Sequence, residues 1–596
     1  MIVRARLLTV TTAVALGASL AIAPLTSYVA PAAASARSSQ VKATVFTEQL
    51  NVVGQVNLGQ LAASEHHTKV ATHPQGARIS RSAALASHFR AVDNALISRR
   101  PKGKPTGMPH VASTPLTNQN VPGTVGFTGL TNVLQAQTHG GFDLEPPDQG
   151  LCAGNGYVME FINNALAIYD KNGNQLVAPI GSADAFLQPT TDFFSDPRCY
   201  YDAPTRRWFY QEFTVGGTSA SGHVTPSVQY EAVSNTQDPT GSYTIFSWDT
   251  TDLGQPHCPC FGDYDNLGAD ANGIYVATDE FPDAGPGYNG VVLYGIAKGE
   301  IETVNQTGII PPVVGFRIHS DPFGQPEIIA PASTPAGGRF APNTEYFVES
   351  NPDQVSDNHL LVYAMHNTAN LTLFTSGPPT LLRTEVTTQK YAFPPDAVQK
   401  PGPRPLGRAF QAPAGDLQAD FDAEMEPTFT NGHLYAELAS ATSNSTSTSA
   451  ADWFIMKPTV SGNTVSASLV HQGSVQVNGV GLLYPFSALN AKGNGFLLFS
   501  LSGHNNFPSP AYIAYNGATG PHGPVRLATP GTAPEDGFTC YAAFVGPNYG
   551  GCRWGDYSAG AAMNGRIYMA TEMIAPTYRD EISNWATYVW SAPAPS

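Results

Sequence analysis

Asn272-Gly273-Ile274-Tyr275-Val276-Ala277-Thr278-Asp279-Glu280 couples a two-residue turn to an apolar, β-branched run that ends in an acid. Asn-Gly accepts positive φ and folds one strand back on the next. The run after it is too short and too apolar for a free-standing helix. The pattern recurs as Asn155-Gly156-Tyr157-Val158-Met159-Glu160, Asn431-Gly432-His433-Leu434-Tyr435-Ala436-Glu437, Asn494-Gly495-Phe496-Leu497-Leu498-Phe499-Ser500 and Asn564-Gly565-Arg566-Ile567-Tyr568-Met569-Ala570-Thr571-Glu572. Degenerate copies are Arg206-Arg207-Trp208-Phe209-Tyr210-Gln211-Glu212 and Asn343-Thr344-Glu345-Tyr346-Phe347-Val348-Glu349. A second strand with an aromatic end follows in most units, as in Ala167-Ile168-Tyr169 and Leu361-Val362-Tyr363. Sheets of about four strands repeated radially leave only short, protected edges. Seven copies therefore predict an all-β fold, a seven-bladed β-propeller. Their spacing exceeds the roughly 40–50 residues of compact propeller repeats, which long loops would explain. A pair of β-sandwiches would not need one repeat to recur along the whole domain.

The composition agrees. Of 596 residues, 57 are Gly and 49 Pro, only 13% are charged and 42% are hydrophobic. That is enough apolar surface for a large core and too little low-complexity sequence for a disordered chain. The segment 1–36 reads as a signal peptide: Arg4 and Arg6 precede an apolar stretch, and Ala34-Ser35-Ala36 offers a cleavage pattern. Segment 37–114 carries ten Lys or Arg against Glu48, Glu65 and Asp93, and reads as a basic leader or linker, partly helical or disordered. The propeller domain is expected over 115–596. Beyond the leader, acids outnumber bases 43 to 18. Basic runs of this kind are usually solvated tails, so the reading excludes nucleic acid. No later segment is long and apolar enough to span a membrane. The expected protein is secreted, extracellular or attached to the cell surface, and monomeric.

The six cysteines, Cys152, Cys199, Cys258, Cys260, Cys540 and Cys552, could form three disulfides, as suits export. Fifteen pairings are open to six cysteines. Cys540 and Cys552 flank a short Gly-rich loop and are the preferred pair. Cys258-Pro259-Cys260 lacks the spacing and the second pair of a zinc site.

Asp196-Pro197-Arg198, Tyr201-Asp202, Arg207-Trp208-Phe209 and Ser234-Asn235-Thr236-Gln237-Asp238-Pro239-Thr240-Gly241-Ser242-Tyr243 resemble secreted bacterial β-propeller proteins of largely unassigned function. The sialidase-like superfamily is a more distant likeness. The resemblance covers most of 115–596 and implies fold more than activity. The Ser-x-Asp-x-Gly-x-Thr-Trp box common in sialidases is absent, as is an obvious arginine triad.

Six of the seven repeats place an acid at or near the end of the same strand: Glu160, Glu212, Glu280, Glu349, Glu437 and Glu572; the seventh has Ser500. If that strand is innermost, rotation about the axis makes these carboxylates a ring at a channel mouth, and crowding raises their pKa values or recruits a cation. An outer strand would leave them facing water. Gly262-Asp263-Tyr264 and Gly555-Asp556-Tyr557 repeat ahead of two copies, adding Asp263 and Asp556 to the ring. Asp263, Asp265 and Asp270, and separately Asp416, Asp420, Asp422, Glu424 and Glu426, have the oxygen density that calcium takes, without EF-hand spacing. His257 and His319 are weaker candidates for a base or ligand.

These features point to extracellular recognition of a glycan or a protein partner through the top face and an acidic central funnel. A carbohydrate-active hydrolase or lyase using funnel carboxylates is the alternative reading, and a structural cell-surface protein a third.

Overall fold

Each Asn-Gly run opens the second strand of a sheet. At three of the five the turn residues are left-handed, with φ of 48° and 91° at Asn155 and Gly156, 51° and 73° at Asn431 and Gly432, and 52° and 75° at Asn564 and Gly565. Asn272, Gly273, Asn494 and Gly495 have no positive φ. The computed structural model describes residues 38–64, 105–138, 143–189, 193–218, 223–283, 287–351, 354–372, 377–419, 426–443, 448–546 and 551–595. The signal peptide expected over 1–36 lies outside them.

Seven antiparallel sheets stand in a ring, a seven-bladed β-propeller. Blade 1 comprises Gly150–Gly154, Tyr157–Ile162, Ala165–Asp170 and Gln175–Gly181. The first strands of blades 2 to 7 are Phe194–Asp202, Cys260–Ala269, Ala330–Pro331, Thr428–Thr430, Val480–Leu489 and Ala559–Met563. These first strands are the innermost ones, and their neighbours across blades include one another. The core lies between blades. Phe161 and Phe186 of blade 1 pack on Phe194, Trp208, Tyr210 and Tyr230 of blade 2, with the Phe186 and Phe194 rings stacked at 5.4 Å. Each such side chain contributes about 1.5–3 kcal/mol when removed from water.

Val125–Thr131 closes the ring as the outermost strand of blade 7, antiparallel to Ala586–Pro593. The basic leader behaves differently from the expectation. Ser39–Gln40, Thr44–Glu48 and Asn51–Asn57 add outer strands to blades 4, 3 and 2 in turn. The physical reason is local. Between 38 and 64 the only charges are Lys42 and Glu48, and the basic residues cluster farther on. Val45, Phe46, Val52 and Val53 make short β-favouring runs, and each blade offers an unpaired edge to receive them.

The expected Cys540–Cys552 pairing holds; Cys152–Cys199 and Cys258–Cys260 complete the set. Cys152 and Cys199 join the first strands of blades 1 and 2. Among the described residues no helix is long and apolar enough to cross a membrane.

Removing residues 38–57 should bare the outer edges of three blades. We expect a lower unfolding temperature and self-association by light scattering; a monomer melting at the parent temperature would show that these strands are dispensable.

Candidate functional site: an axial cluster of acids and arginines

The first strands are not regular. Asp148, Asp196, Tyr264, Ile328 and Tyr484 take φ of 47°, 58°, 55°, 48° and 51°, and Gly555 of 59°. In blades 2, 3 and 6 these residues lie at register shifts between Ser195 and Arg198, Asp263 and Asn266, and Leu483 and Phe486. Each is a bulge that re-aims the side chains around it. Left-handed backbone at non-glycine residues costs of order 1–3 kcal/mol each and persists only where the surroundings enforce it.

The re-aimed side chains meet near the axis. Arg198 of blade 2 reaches Glu426, just ahead of blade 5, at 3.4 Å. Its guanidinium lies 3.3 Å from the centroid of the Tyr557 ring and donates to Asn266 Oδ1 at 3.3 Å. Asp196 Oδ2 accepts from Tyr557 Oη at 2.8 Å and from the Tyr264 amide at 3.1 Å. One cluster thus ties blades 2, 3 and 7 to the chain entering blade 5. Arg553 pairs with Asp556, and the Gln211 and Gln229 amides donate to Asp265. Glu426 and Arg553 are the members open to solvent, with 21% and 14% of their side chains exposed.

Electrostatics follow from burial and crowding. Burial first, and Asp196 second, push Asp148 up to about 8, although Arg553, Asn163 and Arg198 pull the other way. Burial and Asp196 likewise raise Asp263 and Asp265 well above the usual carboxylate range. Burial raises Glu426, with Arg198 opposing. Burial alone would lower Arg198, yet Glu426, Tyr557, Asp196 and Asp265 hold it above its ordinary value. With more acids than guanidiniums, protonation relieves the excess charge. The cluster therefore offers hydroxyl donors and carboxylate acceptors together.

Below it the channel narrows to a cavity of about 90 Å³, reached by Gln149, Arg198, Glu426, Ser487 and Ala561 from different blades. A second cavity, of about 510 Å³, lies at the Asn-Gly turns beside Lys492 and Arg566 and shares Tyr201, Ala336 and Ala562 with the first. Arg198 and Glu426 stand at the narrow end.

The ring of glutamates lies elsewhere. Glu160, Glu212, Glu280, Glu349, Glu437 and Glu572 all sit on second strands, one strand out from the axis, and all are buried. They line no funnel, and neither do they face water. Nor do they share one register: Glu280 pairs with Gly262 before the bulge of blade 3, Glu212 lies opposite the bulge of blade 2, and Glu160 pairs with Leu151 in blade 1, where the register is unbroken. Rotation conserves register only where the bulges do, so equal spacing in sequence does not become equal position in space. Three of them fasten blades together, and three bond within their own blade or the segment entering it. Glu160 accepts from the Leu130 amide at 3.1 Å and from Thr587 Oγ1 in blade 7, Glu212 from the Asn164 amide of blade 1 at 3.1 Å, and Glu437 from the Ser487 amide of blade 6 at 2.6 Å. Glu349 accepts from the Glu327 amide at 3.3 Å and from Tyr363 Oη at 2.5 Å. Glu572 takes the Gly555 amide at 2.7 Å, and Glu280 the Thr278 hydroxyl at 2.7 Å.

Asp263 and Asp556 do belong to the axial region, though their motifs are out of step: the left-handed residue is Tyr264 in one and Gly555 in the other. Asp270 is not with Asp263 and Asp265. It caps the opposite end of the strand, accepting from the Asn272 and Gly273 amides and the Tyr275 and Thr368 hydroxyls. Among the described residues no three acids, histidines or cysteines gather as a metal would need, which leaves calcium unsupported there. Asp420, Asp422 and Glu424 lie outside the described residues. His257 is exposed, and His319 Nδ1 lies 2.9 Å from the Asn289 carbonyl. Sequence reasoning missed Asp196, Arg198, Arg553 and Tyr557 as site residues. Asp196-Pro197 inside a strand pattern was the available signal, since proline there marks a bulge.

No protein-family model matches the chain, and no curated protein matches it. Similar solved structures include a quinohemoprotein alcohol dehydrogenase from Comamonas testosteroni, at 11% identity over 89% of this chain and 84% of that one, TM-score 0.33. A GH93 α-L-arabinofuranosidase of Fusarium graminearum aligns at 6% identity over 78% and 97%, TM-score 0.32. A Trypanosoma rangeli sialidase aligns at 9% over 79% and 59%, TM-score 0.31. These overlaps are loose, and the propeller assignment rests on strand order and ring closure.

Several buried acids set a pH dependence. Burial above all raises Asp148 and Glu437 to about 8 and Asp452 and Glu535 to about 7. Unfolded, such groups titrate near 4. The folded state then binds more protons, so the stability they contribute is full below about 4 and lost as pH rises through 7 to 8. Calorimetry should show the unfolding temperature falling from pH 5 to pH 9, with Glu437→Gln flattening the slope. A rise over that range would contradict this.

Proposed function

We propose that the axial cluster is a glycan-binding site at the end of the propeller where the first strands begin. The carrying observation is the convergence of Asp148, Asp196, Asp263, Asp265, Glu426 and Asp556 on Arg198 and Arg553. Sugar hydroxyls donate and accept at once, and partly protonated carboxyls beside guanidiniums match both needs. Among the described residues Asp148 Oδ1 and Asp265 Oδ1 are buried without a hydrogen-bond partner, an arrangement that favours an incoming hydroxyl donor. Tyr557 adds an aromatic ring beside Arg198. Export, inferred from the amino-terminal residues and supported by three disulfides, fits an extracellular glycan.

Hydrolysis of that glycan is the second reading. It is favoured by Asp148, which burial keeps protonated at neutral pH as a general acid requires.

A panel of oligosaccharides, screened by titration calorimetry and by product chromatography, separates the readings. Binding weakened about tenfold or more by Asp148→Asn or Arg553→Gln, near 1.4 kcal/mol, with unchanged melting, is the expected result. Released products lost in Asp148→Asn would promote the enzyme. No binding across the panel would leave a structural surface protein.

A further inference from the structure

Of the three disulfides, Cys258–Cys260 is the one that holds nothing distant together. It spans two positions in sequence, against 47 for Cys152–Cys199 and 12 for Cys540–Cys552. A cross-link over one intervening residue removes little freedom from the unfolded chain, so it adds little stability. Its loop is also fixed without it. The Cys258 amide donates to Gln255 O at 3.2 Å, the Cys260 amide to Thr251 O at 2.8 Å, and the Asp283 amide to Pro259 O at 2.9 Å. Breaking the sulfur–sulfur bond would leave those backbone contacts in place.

The two sulfurs differ in setting. Cys260 is buried at the head of blade 3's first strand, whereas Cys258 is half-buried and follows the exposed residues Leu253, Gly254, Pro256 and His257. Asn289 Nδ2 donates to Cys258 Sγ at 3.3 Å. Asn289 is itself held, its amide donating to Glu280 O at 2.8 Å and its carbonyl 2.9 Å from His319 Nδ1. A donor fixed on one sulfur favours that sulfur as the thiolate.

We propose that Cys258–Cys260 is a thiol–disulfide exchange centre that passes its disulfide to paired cysteines of an extracellular peptide or protein. A substrate thiolate attacks Cys258 Sγ. The sulfur–sulfur bond breaks toward Cys260, which takes up a proton. The second substrate thiolate then attacks the substrate sulfur of the mixed disulfide and expels Cys258 as a thiolate beside Asn289 Nδ2. Two electrons pass from substrate to protein, one of the two thiol protons is taken up at Cys260 and the other is released to solvent, and the substrate gains one disulfide. A low-molecular-weight disulfide would reoxidise the pair. The centre is independent of glycan binding.

The test uses the full oxidised protein and an equimolar reduced synthetic peptide with two cysteines, quenched by alkylation and read by mass spectrometry. The expected result is about one peptide disulfide formed per chain, with Cys258 and Cys260 alkylated and the other four cysteines intact. Cys260→Ser should trap oxidised glutathione as a mixed disulfide on Cys258. Asn289→Ala should slow alkylation of reduced Cys258 severalfold and move its pH midpoint upward, at unchanged melting temperature. The proposal is overturned if the peptide stays reduced, if Cys540–Cys552 opens first, or if Cys260→Ser traps nothing.

Discussion

The pairing of Val125–Thr131 with Ala586–Pro593 is the constraint on which everything else depends. Seven twisted sheets can pack radially only if the last blade meets the first, and here the chain's early strand completes its final sheet. The Trp590 backbone, paired with Gly126, is part of that seam, and its ring is buried. Once the ring is closed, each blade's two faces are covered by neighbours, so buried aromatics and buried acids alike become obligatory. The outer strands from 39 to 57 extend the same logic sideways, lying along three consecutive blades and covering their edges.

Closure also explains the acids. A glutamate between two blades is tolerable only when its oxygens meet donors that the neighbouring blade presents. Side chains of a strand alternate between its faces, so the register decides which neighbour is met. Glu160 turns to blade 7 and Glu212 to blade 1, the preceding blades, whereas Glu437 turns to blade 6, the following one. Glu160, Glu212 and Glu437 are therefore joints of the ring. The acids with chemistry to offer are those the bulges turn toward the axis, where Arg198, Arg553 and Tyr557 join them.

A division of labour among the disulfides follows. Cys152–Cys199 couples adjacent blades and Cys540–Cys552 joins positions 12 apart ahead of blade 7, so both link separate pieces of chain. Cys258–Cys260 does not, and its exposure and its Asn289 contact are properties of a reactive group. It lies three residues from Asp263, on the strand that feeds the axial cluster.

The repeat alone determined the fold class, the blade count and one strand of each blade. Asn-Gly turns and apolar β-branched runs are local signals that need no neighbour to be read. The sequence also marked Asp263 and Asp556, because a Gly-Asp-Tyr turn is visible in one dimension. It could not say that the acid-ending strand is second from the axis, since nothing in a strand's own residues records how many strands lie inside it. It could not place Arg198 against Glu426 and Tyr557, residues hundreds of positions apart that meet only because the ring closes. The leader was misread over 39–57 for the same reason: the edges it pairs with exist only once the blades are assembled, and this nearly uncharged stretch differs from the basic residues that follow it.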